Sequence, residues 1–444
     1  MSYQKPFDVV ISLLVQFLNG DPTIFPRKIR KHSKVLHYYR EVIRFWNKIN
    51  FILSYTISAL DLNRRLNEEE KALYSLIIYL KEWENTSIRN IINKFEELLK
   101  ISKYQITKEQ IAQFYSKLNT FSWKKAYRNK SKLERQSIGK AVPSFFLKKL
   151  FPYMSEDFLM RNIDQMNEYQ EMDTGILLIN NKKSIEKLKE EFTQYLLENE
   201  VSFEDNSQIR WLINIRTKNL STILKSTFYK EGELLILDKG SAYITNLLLG
   251  NRNGKILDMC AAPGIKTIQL VNSLRNTHKV IAIDFSSDRV YEMQRLLDFY
   301  NISNISILNA DSIDLPIREG VYFDKIFLDA PCTGSGTFSS NPELKWRQNP
   351  SFLHQNTILQ QKLLVSAIKM LKPQGTLVYS TCSMYAQEGE LQIEKVLDKL
   401  EPYELPEVFE SPYKVNGKTL AGTGRLFPAV HNSKGFFVGK FKKI

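Results

Sequence analysis

Residues Ile256 to Thr267, ILDMCAAPGIKT, decide how the rest of this chain is read. Ile256 and Leu257 have strand character and run into Asp258; the small residues Ala261, Ala262, Pro263 and Gly264 follow, and a helix opens at Lys266 and Thr267. Small residues let the backbone approach a ligand closely, and a helix N-terminus offers unsatisfied N–H groups to a carboxylate or phosphate. The stretch reads as a nucleotide-type cradle or as a tight strand-to-helix turn of another α/β protein. It lacks the full GxGxxG that would separate the two.

Downstream, short apolar strands alternate with helical segments. Lys279 to Ile283 ends in Asp284, Ile305 to Leu308 precedes Asp311, Phe323 to Leu328 ends in Asp329, and Thr376 to Ser380 leads into Cys382. This pattern predicts a doubly wound, mostly parallel sheet, with ligands at the carboxyl ends of its strands. Asp284 falls where a carboxylate meets ribose hydroxyls, although an aspartate at a strand end also serves as a helix cap.

Upstream the pattern changes twice. Residues 1–125 carry helical periodicity in Val9 to Leu18, Lys34 to Leu60, Glu68 to Trp83 and Ile88 to Leu99, with Asn67 and Glu70 spaced as a helix start. Within them, Arg27 to Lys48 interleaves basic residues with Tyr38, Tyr39, Phe45 and Trp46. That segment is either an RNA-facing helix with rings available for stacking, or a solvated basic face over an aromatic core. Residues 126–231 begin in a second basic stretch, Trp123 to Lys140, and continue through short helices. A strand at Gly175 to Ile179, a helix at Ile185 to Asn199 and a strand at Ile209 to Ile215 then make a compact α+β module. Residues 232–444 form the α/β domain.

Composition bounds the class. With 444 residues the chain exceeds one ordinary domain, and no apolar run reaches the roughly 18 residues of a membrane span. The apolar run Val9 to Leu18 adjoins Asp8, contains Gln16 and lacks a small-residue cleavage site, so it reads as a buried helix and the protein as intracellular. A net charge of +14 makes nucleic acid the expected partner. The cysteines are Cys260, Cys332 and Cys382, far apart and without a CxxC pair, and the five histidines lack ligand spacing, so neither disulfides nor a metal are expected.

Cys332 lies in Asp329-Ala330-Pro331-Cys332-Thr333-Gly334-Ser335-Gly336, and Cys382 in Tyr379-Ser380-Thr381-Cys382-Ser383. A lone buried cysteine is usually a small hydrophobe. Two of them at neighbouring strand ends, one near an aspartate and both downstream of a cradle, point to nucleophilic catalysis.

The blocks ILDMCAAPGIKT, AIDFSSDRV, NADSIDLP, FDKIFLDAPCTGSGT with PELKW, TLVYSTCSMYAQEGE and GFFVGKF resemble the RsmB/NOP/Sun family of S-adenosylmethionine-dependent RNA (cytosine-5) methyltransferases. The resemblance covers about Gly232 to Lys442 and implies a Rossmann-like methyltransferase domain. It places S-adenosyl-L-methionine on Cys260, Ala261, Ala262, Pro263, Gly264, Ile265 and Lys266, with Asp284 on the ribose, Asp311 on the adenine amino group, and Arg289 and Asp329 beside them. It makes Cys382 the nucleophile, assisted by Asp329 and Cys332. The family usually has glycine where this chain has Ile265, which would be strained at positive φ.

The residue types suit that reaction. C5 of cytosine is too electron-poor to take a methyl group directly, so a thiolate at Cys382 adds to C6 first. Asp329 at N3 offsets the developing charge, and Cys332 acts as, or recruits, the base that removes the C5 proton. The implied substrate is tRNA or rRNA, the protein a monomer, cytoplasmic in a prokaryote or nucleolar in a eukaryote. Two other readings stay open: an RNA-binding ribosome-assembly factor whose catalysis is incidental or lost, and a DNA cytosine-5 methyltransferase. The second is disfavoured because Thr333, not glutamine, follows the Pro-Cys block.

Overall fold

A computed structural model of the chain describes residues 6–20, 33–60, 65–96, 98–99, 106–179, 184–249, 254–274, 278–315 and 320–444. The chain folds into two compact units, residues 1–148 with 341–346, and residues 149–340 with 347–444. No described helix is long and apolar enough to cross a membrane. Among the described residues no cluster of three or more His, Cys, Asp or Glu side chains is placed to hold a metal.

The first unit is helical, with Pro6–Leu18, Ser33–Arg44, Trp46–Ser58, Glu68–Glu82, Ile88–Phe95 and Lys108–Leu118 as its longer elements. Asn67 and Glu70 form a reciprocal capping box at the start of Glu68–Glu82. Leu14, Val42, Ile52, Leu76 and Phe114 are fully buried in one core. Of the two readings of Arg27 to Lys48, the described part shows the aromatic core. Tyr38 and Tyr39 are buried, Phe45 stacks on Trp83 at 4.7 Å, and Trp46 meets Phe17 edge-on at 5.3 Å. Aromatic area withdrawn from water in this way is not available to stack on bases. Arg27, Lys28, Arg30 and Lys31 lie outside the described residues. Residues 341–346 join this unit through Lys345, whose Nζ donates to the carbonyls of Arg44 (3.0 Å) and Ala141 (3.1 Å), and through Trp346, whose indole N–H donates to the Ile43 carbonyl (2.7 Å).

The second unit contains two sheets. The smaller is antiparallel, in the order β2-β3-β1-β4, with β1 Asp173–Leu178, β2 Phe203–Asp205, β3 Leu212–Arg216 and β4 Leu234–Asp238. The larger runs β10-β12-β9-β8-β5-β6-β7, with β11 paired to β12. Its parallel part is β5 Gly254–Asp258, β6 His278–Asp284, β7 Ile305–Asn309, β8 Phe323–Asp329 and β9 Leu371–Thr381. The strands β10 Leu400–Pro402, β11 Thr423–Leu426 and β12 Phe436–Lys443 add antiparallel pairings at one edge. This is a Rossmann-like α/β fold with a mostly parallel, doubly wound sheet. Ile256 and Leu257 pack into separate apolar clusters and both are wholly buried, as expected of a central strand covered on each face.

Candidate active site

The parallel strands bring Asp258, Asp284 and Asp329 to one edge of the sheet, as the last residues of β5, β6 and β8. The chain winds outward from β5 through β6 and β7, then returns to place β8 and β9 on the other side of β5. A ligand crevice is expected at that reversal. A cavity of about 320 Å³ lies there, lined by Asp258, Cys260, Ala261, Ala262, Pro263, Ile265, Lys266, Asp329 and Cys382 among others.

Asp284 braces the cradle loop. Its carboxylate accepts from the backbone N–H groups of Ala262 (3.1 Å) and Ser286 (3.1 Å). Arg289 pairs with the same carboxylate at 3.4 Å and donates to the Ala262 carbonyl. Gly264 carries the positive φ of the turn, +101°, and a Cβ there would come within 2.9 Å of the Met293 side chain. Ile265 is already the first residue of the helix Ile265–Leu274, so its branched side chain meets no backbone strain. Gly264, Asp284 and Arg289 shape the loop without lining the cavity. Asp311 is exposed two residues beyond β7, its carboxylate accepting from the Ile313 N–H at 2.9 Å.

Asp258 is buried, with one carboxylate oxygen accepting from Thr267 Oγ1 at 2.7 Å and the other, Oδ1, without a protein partner. Burial pushes its carboxyl up to about 7, against the Thr267 hydrogen bond. An unpartnered buried acceptor beside a cradle of small residues suits a ligand that brings a polar or cationic donor. Burial, with Asp258 and Asp329 nearby, pushes the Cys260 thiol well above its usual range, so Cys260 stays protonated.

Lys266, expected only in the cofactor loop, turns its ammonium onto the Asp329 carboxylate. Although burial opposes the charge, Asp329 holds the Lys266 pKa above its usual value. The other oxygen of Asp329 accepts from Ser380 Oγ at 2.7 Å, and register places Asp329 opposite Ser380. The two cysteine sulfurs lie 3.2 Å apart, and both are free thiols. The contact with Cys382 and then burial drive the Cys332 thiol well above its usual range. Either sulfur can donate a hydrogen bond across that contact.

Several participants were not singled out from the sequence. Asp238, Lys434 and Phe436 complete the cavity wall; Asp238 caps the helix Lys239–Asn246 through the Ser241 N–H (3.1 Å) and also accepts from the Lys434 N–H (3.2 Å). Glu388, behind the cysteines, is wholly buried, and burial raises its carboxyl pKa despite several hydrogen-bond donors. The cap pattern of Asp238 is a visible sequence signal, whereas nothing in AQEGE marks Glu388 as interior.

Comparison with known proteins bears on this site. Residues 245–442 match the model of the family described as 16S rRNA methyltransferase RsmB/F. The chain is 32% identical over 218 residues to the "Probable ribosomal RNA small subunit methyltransferase B" of Synechocystis sp., covering 48% of this chain and 49% of that relative. It is 33% identical over 228 residues to the mouse "28S rRNA (cytosine-C(5))-methyltransferase", covering 49% of this chain and 29% of the relative. The chain thus spans half the length or less of these curated relatives. The crystal structure of PH0851 superimposes with a TM-score of 0.77 over 99% of both chains at 22% identity, a likeness of fold.

Proposed function

Residues 245–442 belong to the RsmB/F methyltransferase family, and from that premise we propose that the protein transfers a methyl group from S-adenosyl-L-methionine to C5 of a cytosine in RNA. The observation that carries the reading is the 3.2 Å approach of Cys332 to Cys382, with Cys382 and Asp329 lining a cavity that also contains the small-residue cradle. A fold kept only for binding RNA has no need of two thiols in contact beside a carboxylate. The relatives' names speak of ribosomal RNA, which supports rRNA over tRNA as the substrate.

The chain's residues fit the cofactor. Asp258 Oδ1 is a buried acceptor facing the need for a donor, and Ala261 to Gly264 leave room for close approach. When bound, the cofactor supplies an electrophilic methyl group on a sulfonium centre. Asp284 and Arg289 hold the cradle's shape through Ala262. The target base must leave its stack to reach the cavity, at a cost of a few kcal/mol (~2 to 4) that a loop or junction in the RNA reduces.

The protein's own steps follow from the cluster. Cys382 lines the cavity and Cys332 does not, so Cys382 is the sulfur placed to add to C6. Lys266 and Asp329 form an ion pair able to present a proton at N3 as the ring takes up charge. Once Cys382 is bonded to carbon it no longer presents a negative acceptor to Cys332. The largest cause raising the Cys332 thiol then disappears, so Cys332 can release its own proton to solvent and, as the thiolate, take the C5 proton. Expulsion of Cys382 from C6 completes the cycle.

The test is incubation of the full chain with labelled S-adenosyl-L-methionine and total RNA, followed by bisulfite sequencing of rRNA and tRNA. Label at a discrete rRNA cytosine is the expected result. Label confined to tRNA corrects the substrate, and cofactor binding without label in any RNA overturns the catalytic reading.

A further inference from the structure

The two cysteine loops do not meet by chance packing. They converge on one carboxylate that no step above uses. Glu388 ends the short turn Ala386–Glu388 and is wholly inaccessible to solvent. Its Oε1 accepts from the Thr333 N–H (2.9 Å) and from Gln360 Nε2 (3.0 Å). Its Oε2 accepts from Thr333 Oγ1 (2.5 Å) and Ser383 Oγ (2.6 Å). Thr333 directly follows Cys332, and Ser383 directly follows Cys382. One carboxylate therefore grips the residue after each reactive sulfur. Gln360 extends the grip by donating also to the Pro331 carbonyl, on the other side of Cys332 (2.8 Å).

We infer that Glu388 is the positioning residue of the cysteine pair: it ties the two cysteine loops together and holds the two thiols in contact. The inference rests on the reading of Cys332 and Cys382 as the reactive pair. Two N–H groups and two hydroxyls surround the Glu388 oxygens, a set that an ionised carboxylate satisfies. Among the described residues no cation forms an ion pair with it, while Arg425, paired with Glu390, also feels its field. That field opposes ionisation of Cys332, whose elevated proton affinity includes a contribution from Glu388. The Cys332 sulfur, 3.2 Å from Cys382, is thereby kept within hydrogen-bonding reach of it. The charged and titratable groups around the pair are Lys266 and Asp329 on the cavity side, and Tyr379, Tyr385, Glu390 and Arg425 around the Glu388 turn. Of these, Lys266 and Asp329 neutralise each other in their ion pair, as do Glu390 and Arg425.

The test needs no RNA and uses the full chain. Alkylation of each cysteine by iodoacetamide is followed by peptide mass spectrometry across about pH 6 to 10. In Glu388→Gln one oxygen becomes a donor and faces the donors of Thr333 or Ser383. The ratio of Cys332 to Cys382 alkylation rates should rise by about tenfold, because Cys332 is freed from its place against Cys382. Glu388→Asp should recover part of the shift, because the charge returns but sits one methylene further back. If Glu388→Gln does not fold, Thr333→Val decides, since it removes one donor and keeps the shape; its rate ratio should move in the same direction by less. A rate ratio that stays put in a folded variant, even one with a lowered melting temperature, overturns the inference and leaves Glu388 a structural residue. Absence of methyl transfer by the unaltered chain would overturn the functional reading without moving these ratios, so the two failures are distinguishable.

Discussion

At the scale of single residues, the two thiols carry opposite expectations. Cys382→Ala removes the sulfur that adds to C6, so both methylation and any covalent protein–RNA species should vanish. Cys332→Ala keeps the nucleophile and removes the group placed to handle the C5 proton, so a denaturant-stable adduct should accumulate on gels while turnover falls by about 10²-fold or more. Identical behaviour of the two variants would refute the division of labour. Asp258 gives a pH expectation. Its carboxyl lies at about 7 in the folded chain, against about 4 when unfolded. Between those values the folded chain holds a proton that the unfolded chain has released. The stability it contributes is thus complete below about pH 4 and is lost as pH rises through 7. Asp258→Asn removes that dependence. The unaltered chain should lose roughly 2–4 kcal/mol relative to the variant between those limits, read from denaturant midpoints at each pH. Parallel curves would show that Asp258 is not buried as a lone acceptor.

At the scale of elements, what the sequence disclosed follows from which surfaces are covered. The strands ending in Asp284 and Asp329 were legible to within a residue or so, because each ends in an apolar and mostly buried run, Val280 to Ile283 and Ile326 to Leu328. β4 lies within residues 232–444, the expected α/β domain, yet it pairs with β1 in the smaller sheet, and an apolar run does not say which sheet it joins. β9 begins at Leu371 and passes through Lys372, Pro373, Gln374 and Gly375, so its first half looks like a turn. The cradle and both cysteines were visible as residue types at strand ends. Glu388, Glu390 and Arg425 were not, since buried charge looks like surface charge until its partners are known. Arg425 is fully buried, forms a two-pronged pair with Glu390 (2.7 Å on each prong), donates to the Ser383 carbonyl (3.0 Å) and lies 3.8 Å from the Tyr413 ring centre. Arg425→Met would leave Glu390 charged and uncompensated beside the Cys382 loop. Stability should fall by about 3–5 kcal/mol, measured by urea unfolding, and Arg425→Met with Glu390→Gln should recover much of it. A loss below about 1 kcal/mol would mean that water reaches the pair.

At the scale of the whole molecule, the charge of +14 acts through the residues that present it to solvent. Lys124, Lys125 and Arg128 are exposed on and just beyond the short helix Trp123–Ala126. The aromatic rings near them are occupied within the helical unit, Trp123 and Tyr127 packing at 5.1 Å from each other. This stretch therefore has cationic groups for phosphates and no spare rings for base stacking, a combination that gives affinity without sequence choice. The expected signature is electrostatic. Each lost phosphate contact lowers the slope of log affinity against log salt by about 0.7–0.9. Replacing all three residues with alanine should therefore flatten the slope by up to roughly 2–3, weaken binding to unrelated RNAs alike, and leave the target cytosine unchanged. Filter binding over a salt series measures the first two effects, and bisulfite sequencing the third. An unchanged slope would remove this stretch from the RNA-facing surface. A changed target cytosine would show instead that the helical unit takes part in choosing the site as well as in holding the backbone.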